Sequence, residues 1–410
     1  MGKTGFSKKY AVPRPLLAAF LVLSVCFFLL TVGAEAGRAV HVANTQQLLP
    51  AVKNARAGDH ILLAPGRYRA NLRFYAKNSG TATAPVILSA RDGLGSVILD
   101  GAGTDITLKF SGAGFVRVEG LEITGGGYHG VFFDRGAHDI SVLGNRIYDN
   151  HQKRPLNSHA ELKGSGGGGR PRRITISGNE IFHTTHPPGG NFQGIDCNLC
   201  EAFLIAGNHL HDIRQPTEVS HSYYDRGSCI QMKSASRGTI IAGNRIVRCN
   251  IGIVFGGEGL ASPEHFGGLV QNNLILQSQE MAIAVVNATG GAIRHNTLFA
   301  NGTSLGIYED VRFPGRQSRV DIYNNILDGP IDGSAGAGSI FAGNYVLTVG
   351  EAEKIFQDAA AGNLRLAPGA KLSIDKASGM PRPLFMDFDG QSRPWGEAGD
   401  IGAFEYRRRD

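Results

Sequence analysis

The sequence has little tryptophan, little cysteine and no strict glycine repeat. Its 410 residues include one Trp, five Cys and 57 Gly, and the glycine share is twice the ordinary ~7%. No Gly-X-Y period accompanies the glycines, which excludes a collagen-like chain. A hydrophobic content of 42% and a formal net charge of only +6 exclude wholesale disorder and a strongly basic nucleic-acid-binding surface. Abundant glycine at ordinary hydrophobicity indicates many tight turns between short strands.

The first 36 residues have the pattern of an export signal. Basic residues up to position 14 precede an apolar run over 16–30, and Ala34-Glu35-Ala36 forms a small-x-small cleavage site. We therefore expect a secreted or periplasmic protein. The alternative is an uncleaved membrane anchor that faces outside. Removal of residues 1–36, with their four cations and one anion, leaves a net charge of +3, which suits an acidic partner.

Four cysteines follow residue 36, namely Cys197, Cys200, Cys229 and Cys249. A CxxC pair in an exported protein is either a disulfide or half of a metal site. No second CxxC and no HxxxH completes a zinc site, so we expect small buried residues with one bridge at most. The sequence leaves the pairing open.

An apolar-x-Gly/Asn-Asn-x-apolar phrase recurs, with looser copies toward the C-terminus, at intervals of 19–36 residues. Its asparagines are Asn145, Asn179, Asn208, Asn244, Asn273, Asn296, Asn325 and Asn344. Apolar and polar residues alternate around each copy, as in strands rather than helices, so the pattern predicts a solenoid of β coils with loops inserted on one side. We expect the asparagine side chains to hydrogen-bond up the stack and the asparagine itself to take the left-handed turn.

The repeat divides the chain into a signal over 1–36, an N-terminal cap and first coils over 37–100, a β-helix over 101–345 and a C-terminal cap over 346–410. Leu48, Leu49, Val52 and Ala55 have helical spacing after a plausible N-cap at Asn44 or Thr45. This predicts a helix over 44–57 that plugs the N-terminal end. The tail, which loses the repeat, is expected to cover the last coil. The fold class is therefore all-β.

A second strand in each coil places polar residues on one face. With Val131, Ala160, Ile195 and Ile230 as the inward row, residues one and three positions later face solvent. This register stacks Glu161, Asp196 and Gln231 beside Lys163, Asn198 and Lys233, with His159 on the same face. The three long repeat intervals bracket these coils, and the inserted loops would form the walls of a cleft.

The polar cluster suits β-elimination on a uronic acid, which needs a neutralised carboxylate, a base and an acid. Lys233 is the candidate base, with its pKa lowered by Lys163 or by partial burial. Further catalytic candidates are His159, His221, Tyr224 and Arg226, and substrate-contact candidates are Gln231, Asn198 and Tyr223. Glu161, Asp196 and Asn198 offer hard oxygens for a Ca²⁺ ion. The competing interpretation is ordinary cross-strand charge pairing on a solvated sheet.

Three stretches resemble the exported right-handed parallel β-helix proteins of the pectin-lyase-like superfamily, and among them the relatives of polysaccharide lyase family 6, the alginate lyases and chondroitinase B. The stretches are 57–68, 84–90, and Met232-Lys233-Ser234 followed by Gly243-Asn244. The tail over 387–406 is similar to the ending of many secreted β-helix proteins. The resemblance implies a right-handed parallel β-helix and carries over Lys233 as the catalytic lysine.

The sequence departs from that family pattern at two places. Where the lyases have an arginine one coil after the lysine, this chain has Phe255-Gly256-Gly257-Glu258. Where they have paired acidic calcium ligands, it has Asp225-Arg226-Gly227-Ser228. These departures put the activity, rather than the fold, in question.

We expect a monomeric, exported lyase that acts on an acidic polysaccharide, with Ca²⁺ as the one cofactor considered, no nucleic-acid partner, and membrane contact only through an uncleaved N-terminus. The first alternative is a non-catalytic carbohydrate-binding or surface β-helix, which the missing arginine favours. A glycoside hydrolase is the second, although Asp196 and Glu161 alone supply few carboxylates. A C5-epimerase, which shares the proton abstraction, is the third.

Overall fold

Short strands pair in parallel with strands one coil further along the chain. The computed structural model describes residues 37–153, 159–188, 190–214, 224, 226–257, 259, 261–380 and 382–407; the predicted signal over 1–36 lies outside them. Within the described residues the strands form three parallel sheets, here called A, B and C, visited in that order in each coil. Crossovers between parallel strands are right-handed in nearly all proteins. The predicted right-handed parallel β-helix is confirmed.

The strands are short, as the turn-rich composition predicts. Sheet A contains Ala39–Val42, His60–Leu63, Val86–Ala90, Gly114–Glu119, His138–Leu143, Thr175–Ser177, Leu204–Ala206, Ser236–Arg237, Ile240–Ala242, His265–Phe266, Leu269–Gln271, Ala288–Arg294, Arg319–Tyr323 and Phe341–Ala342. Sheet B contains Gly66–Arg69, Val97–Asp100, Glu122–Thr124, Arg146–Tyr148, Glu180–Phe182, His209–His211, Arg245–Val247, Leu274–Leu276, Thr297–Phe299, Ile326–Leu327 and Tyr345–Val346. Sheet C contains Leu72–Tyr75, Ile106–Ser111, His129–Asp134, His159–Ser165, Phe192–Asn198, Arg226–Lys233, Ile251–Gly256, Met281–Val286, Thr303–Tyr308 and Ile331–Gly333.

A ladder of buried asparagines joins the coils between sheets A and B. Asn145 Nδ2 donates to Asn179 Oδ1 at 3.0 Å, and the same oxygen accepts the Asn145 backbone N–H at 2.9 Å. The pattern continues without a break through Asn208, Asn244, Asn273, Asn296 and Asn325 to Asn344. The predicted ladder is therefore confirmed, and it satisfies buried polar groups that would otherwise be costly.

The left-handed turn belongs to the residue before each asparagine. Gly144 has φ 59° and Gly178 has φ 66°, and Asn272 takes the same conformation ahead of Asn273. The expectation that the ladder asparagine makes the turn is therefore wrong. Glycine adopts this conformation without a steric penalty, which leaves the asparagine free to hold its amide in the ladder.

The helix at the N-terminal end forms as predicted but ends earlier. Helix α1, Thr45–Lys53, starts at the N-cap Asn44, whose Oδ1 accepts the Gln47 N–H at 3.1 Å. Leu48 and Val52 are buried in the main core. A short 3₁₀ helix, Ala76–Asn78, follows in the next coil, and Asn78 Nδ2 donates to the Val52 carbonyl at 2.7 Å, which satisfies one of the open carbonyls at the helix end.

The C-terminal segment packs along sheet B rather than over the last coil alone. It contains helix α2, Ala352–Ile355, and an antiparallel pair, Phe356–Asp358 with Asn363–Leu366. Its apolar side chains form a cluster, separate from the main core, with the sheet-B residues Val247, Leu274, Leu276 and Ile326. The outer face of sheet B is apolar there, so covering it removes hydrophobic surface from water.

One disulfide is present among the described residues, and it does not use the CxxC pair. It joins Cys229, in a sheet-C strand, to Cys249. Cys197 and Cys200 are buried thiols. In the described part of the chain no helix has the length and hydropathy that crossing a bilayer requires.

The asparagine ladder predicts a specific loss of stability. Asn208→Ala removes the amide that donates to the Ile176 carbonyl and accepts from Asn179. Because each buried polar group left unpaired costs ~1–3 kcal/mol, we expect the free energy of unfolding to fall by about 3 kcal/mol. The measurement is the urea-denaturation midpoint. The control Asn71→Ala, at an exposed turn position, should change it by less than about 0.5 kcal/mol; equal losses in both variants would contradict the ladder's role.

Candidate functional site

The register of sheet C decides which side chains lie side by side. Val131 pairs with Leu162, Leu162 with Ile195, and Ile195 with Ile230. The predicted register put Ala160 in this row, so it is wrong by two residues for this strand. The sequence of residues 159–163 is compatible with either Ala160 or Leu162 in the inward row. The inserted loop before this strand has no fixed length from which the register could be counted. As a result Lys163 pairs with Asp196, and not with Asn198.

Two lysines converge on one buried carboxylate. Lys163 Nζ forms an ion pair with Asp196 Oδ2, and Lys233 Nζ lies 3.3 Å from Gln231 Oε1. Asp196 and Gln231 are fully buried, and Lys233 is 5% exposed. Burial alone would raise the pKa of Asp196, but the Lys163 and Lys233 ammonium groups lower it below its ordinary value. These four residues are here called the lysine cluster.

Several polar atoms beside the lysine cluster have no hydrogen-bond partner among the described residues. They are Asp196 Oδ1, Gln231 Nε2 and His129 Nδ1. Native proteins pair more than 90% of their buried polar groups. Asp196 Oδ1 accepts and Gln231 Nε2 donates, so these atoms indicate a place where a ligand with both hydrogen-bond donors and acceptors completes the bonding.

His129 is a site residue that the sequence analysis missed. It begins the sheet-C strand one coil before the strand of Lys163, and it pairs with Ala160. Burial and the Lys163 ammonium lower the pKa of its imidazole to about 3, so the ring is neutral at neutral pH. Its ring lies 5.2 Å from the ring of Phe132, which pairs with Lys163. Strict alternation from the inward Val131 would have turned it inward, and no motif marks it.

Glu161 and His159 lie away from the lysines. Glu161 Oε2 accepts from Asn150 Nδ2 at 2.6 Å, and His159 Nε2 lies 2.7 Å from the Lys153 carbonyl. Burial lowers the pKa of His159. The predicted stack of Glu161 on Asp196 is therefore wrong, because Glu161 turns into the corner between sheets B and C.

The remaining predicted residues surround the cluster on different sides. Asn198 Oδ1 accepts from Ser234 Oγ at 3.1 Å, and Asn198 pairs with Lys233. Arg226 forms an ion pair with Glu280 at 2.7 Å. Tyr224 packs on an apolar patch of Ile251, Val254, Met281 and Ala284 on the neighbouring strands. His221 and Tyr223 lie outside the described residues.

A basic pocket, also missed, continues the lysine row toward the N-terminal end. Arg73 pairs with Lys109, Lys109 with Phe132, and Phe132 with Lys163, so these residues occupy one row of sheet C. The pocket, of about 180 Å³, is lined by Arg73, Tyr75, Lys109, Ser111 and Arg135. Arg73 Nη1 is buried and has no hydrogen-bond partner among the described residues. Applying the register to the first two sheet-C strands would have revealed this row.

An arginine from a later coil reaches the end of the Lys233 strand. Arg312 contacts Glu264 Oε1 and Asp310 Oδ2, each at 2.6 Å, and donates to the Gly259 carbonyl. Gly259 abuts the Ser234 backbone, the residue after Lys233. The sheet-C strand one coil after Lys233, Ile251–Gly256, contains no arginine, and Arg312 comes from a turn that the sequence pattern did not single out.

The lysine cluster does not fit a calcium ion. Ca²⁺ takes six to eight oxygen ligands, most of them carboxylates or carbonyls. Here one carboxylate, Asp196, is already paired with Lys163, and Lys233 adds a second positive charge. Glu161, the other predicted carboxylate ligand, points elsewhere. We therefore derive no catalytic step through calcium.

The Asp196 ion pair predicts an acid-sensitive contribution to stability. Because its pKa in the folded protein lies below the ordinary 3.8, the ionised carboxylate stabilises the protein above about pH 4 and this stabilisation is lost as the pH falls below it. We expect Asp196→Asn to cost about 3–5 kcal/mol at pH 7, because it leaves two buried ammonium groups without a counter-charge.

The check is the urea midpoint measured from pH 7 to pH 3, where the variant should lack the acid-dependent loss. Asp105→Asn, which breaks an exposed Lys153 pair, is the matched control and should change stability little. An Asp196→Asn protein with wild-type stability at pH 7 would contradict the assignment.

The comparisons with known proteins identify the fold. A chondroitinase B family model matches residues 42–128, which end before the lysine cluster. The structure is similar to that of an alginate lyase from Paenibacillus sp. str. FPU-7, with a TM-score of 0.50 and 18% identity over 76% of this chain and 99% of the other. It is also similar to pectate lyase Pel9A, with a TM-score of 0.52 and 14% identity over 92% of this chain and 98% of the other.

No curated protein matches the chain at a significant level. At these identities the structural likeness establishes the fold. The parallel sheets, the asparagine ladder and the match over the first coils agree with one another. The chain is a right-handed parallel β-helix protein whose first coils match the chondroitinase B family model.

Proposed function

We propose that the protein is an exported lyase that cleaves a uronic-acid-containing polysaccharide by β-elimination at the lysine cluster. The observation that carries the proposal is the convergence of Lys163 and Lys233 on one buried carboxylate, Asp196, beside polar atoms that lack partners. Two cations and one anion leave a net positive charge that an acidic sugar neutralises.

The basic row supports a polymeric and acidic substrate. Arg73, Lys109 and Lys163 lie in one row of sheet C, with coils ~4.8 Å apart. Lys109 is 4.9 Å from the Phe132 ring centroid, so the row alternates charge with a flat apolar surface. A chain of carboxylated sugars laid along the solenoid axis would meet successive cations and one aromatic face.

The lysines divide the chemistry between them. Lys163, ion-paired with Asp196, pairs with the substrate carboxylate and stabilises the charge that develops on it. Lys233, once it has lost its own proton to solvent, takes the proton from the carbon beside that carboxylate, a double bond forms, and the bond to the leaving glycosidic oxygen breaks. The ammonium formed on Lys233 then donates a proton to that oxygen. Repulsion between two close ammonium groups favours the neutral form of one of them.

The proposed site of action is outside the cytoplasm. The N-terminal pattern over 1–36 is that of an export signal, and the Cys229–Cys249 disulfide is typical of oxidising compartments. Large acidic polysaccharides are met there.

The proposal predicts an unsaturated uronate product, detected by its ultraviolet absorbance. Residues 37–410 are incubated with alginate, pectate and chondroitin, each with calcium and each with chelator. We expect one polymer to give product in both conditions, because no catalytic step uses calcium. Lys233→Ala should reduce the rate at least ~100-fold, as the loss of a general base does.

Matched variants sharpen the result. Lys371→Ala removes an exposed lysine on the C-terminal segment and should leave the rate unchanged. His129→Ala tests the rival base: if it abolishes product while Lys233→Ala retains full activity, the assignment of the base is wrong. If no polymer yields product but one binds through Lys163, the protein is a carbohydrate-binding β-helix and the lyase proposal is refuted.

A further inference from the structure

Three potential metal ligands meet at the corner between sheets B and C, here called the histidine corner. His151 follows the sheet-B strand Arg146–Tyr148, His183 follows the strand Glu180–Phe182 in the next coil, and Glu161 belongs to the sheet-C strand His159–Ser165. One ligand atom of each residue lies within 4.8 Å of the others. Three separate segments of the chain therefore supply one cluster.

The geometry of the histidine corner approaches that of a coordination sphere. Glu161 Oε1 lies 3.2 Å from His183 Nε2 and 4.0 Å from His151 Nδ1. Metal–ligand bonds of ~2.1 Å in a tetrahedron separate neighbouring ligand atoms by roughly 3.4 Å. A movement of about 0.6 Å would bring His151 Nδ1 to this distance from Glu161 Oε1.

The corner is buried and incompletely bonded. The exposed fractions are 4% for His151, 1% for Glu161 and 7% for His183. His151 Nδ1, the atom nearest Glu161, has no hydrogen-bond partner among the described residues. Among the residues that the structure describes, the basic groups within ion-pair distance of the Glu161 carboxylate are the imidazoles of His151 and His183. A buried carboxylate with neither lysine nor arginine beside it is costly unless a cation compensates it.

Neighbouring residues hold the ligands in orientations that suit a metal. His151 Nε2 lies 3.0 Å from Thr185 Oγ1; when Nε2 donates to this hydroxyl, Nδ1 keeps a lone pair for a metal. Asn150 binds both Glu161 oxygens, through its backbone N–H at 3.1 Å and its Nδ2 at 2.6 Å. Metal-bound histidines and carboxylates are commonly oriented by such outer hydrogen bonds.

The donor set selects the class of ion. Two imidazole nitrogens and one carboxylate oxygen suit Zn²⁺ and related first-row divalent ions. Ca²⁺ and Mg²⁺ require oxygen ligands almost exclusively. A second group of similar residues, Glu180, His209 and His211, is partly exposed, and Arg146 and Asp212 already pair with its members.

We propose that the histidine corner binds Zn²⁺ through His151 Nδ1, Glu161 Oε1 and His183 Nε2. The ion would connect His151 and His183, which follow two sheet-B strands, to the sheet-C strand of Glu161. Lys163 lies two residues after Glu161 in that strand. Its role is to stabilise this corner, so it is independent of the chemistry of the lysine cluster. Glu161 thus serves as a metal ligand with histidine partners rather than with Asp196.

The test uses tag-free protein of residues 37–410, freed of metal by a chelator. Isothermal titration with Zn²⁺ should give one site per chain and raise the melting temperature, whereas Ca²⁺ should do neither. Replacement of Zn²⁺ by Co²⁺ should give the visible absorption of a tetrahedral complex. Thr185→Val, which only loosens His151, should weaken Zn²⁺ affinity by about 10- to 100-fold.

Two ligand variants and two controls decide the outcome. His183→Ala and the isosteric Glu161→Gln should each abolish the Co²⁺ signal, and the circular dichroism of the second variant checks that the fold is intact. His186→Ala, an exposed histidine three residues away, and His209→Ala, in the rival group, should keep it. The proposal is overturned if Zn²⁺ does not bind, or if His209→Ala, instead of His183→Ala, removes the signal.

Discussion

The stacking of each coil directly on the one before is the constraint on which the rest of the structure depends. Backbone hydrogen bonds fix the distance between coils, and the asparagine ladder from Asn145 to Asn344 fixes their phase. From Asn179 onward, each ladder oxygen accepts both a backbone N–H and a side-chain N–H from the preceding coil. A coil that slipped by one residue would leave these buried groups unpaired, and it would also exchange its inward and outward side chains.

Because the register between neighbouring coils is fixed, side chains that are far apart in the sequence lie next to one another. Lys163, Asp196, Gln231 and Lys233 come from three coils separated by long inserted loops, yet strand pairing brings them side by side. The same pairing extends the row to Lys109 and Arg73. A solenoid therefore builds an extended charged surface from short strands without a domain interface. The ion pair between Lys163 and Asp196 is buried. Because it is removed from water, the interaction between its two charges is stronger than on an exposed surface.

The fold was predictable because it depends on a local pattern repeated many times. Every copy of the repeat has a left-handed residue before its asparagine and the same alternation, so an error in one copy does not change the conclusion. The candidate site was less predictable, because it depends on the register of single strands. Lys163, Asp196 and Lys233 were predicted on one face and do lie together. The frame of residues 159–163 was ambiguous, and a two-residue error moved Glu161 onto the wrong neighbours. His129 and His183 belong to no recurring motif.

The sequence by itself determined the solenoid, its asparagine ladder, the N-terminal helix and the residue types that line the sheet-C face, because strand period, turn residues and capping are local properties. The tertiary structure alone decided which carboxylate each lysine meets and that Glu161 faces two histidines. It also placed Arg312 beside the end of the Lys233 strand and packed the tail on sheet B. These contacts join residues tens of positions apart, and their geometry follows from coil phase and from the paths of the inserted loops, which no local pattern encodes.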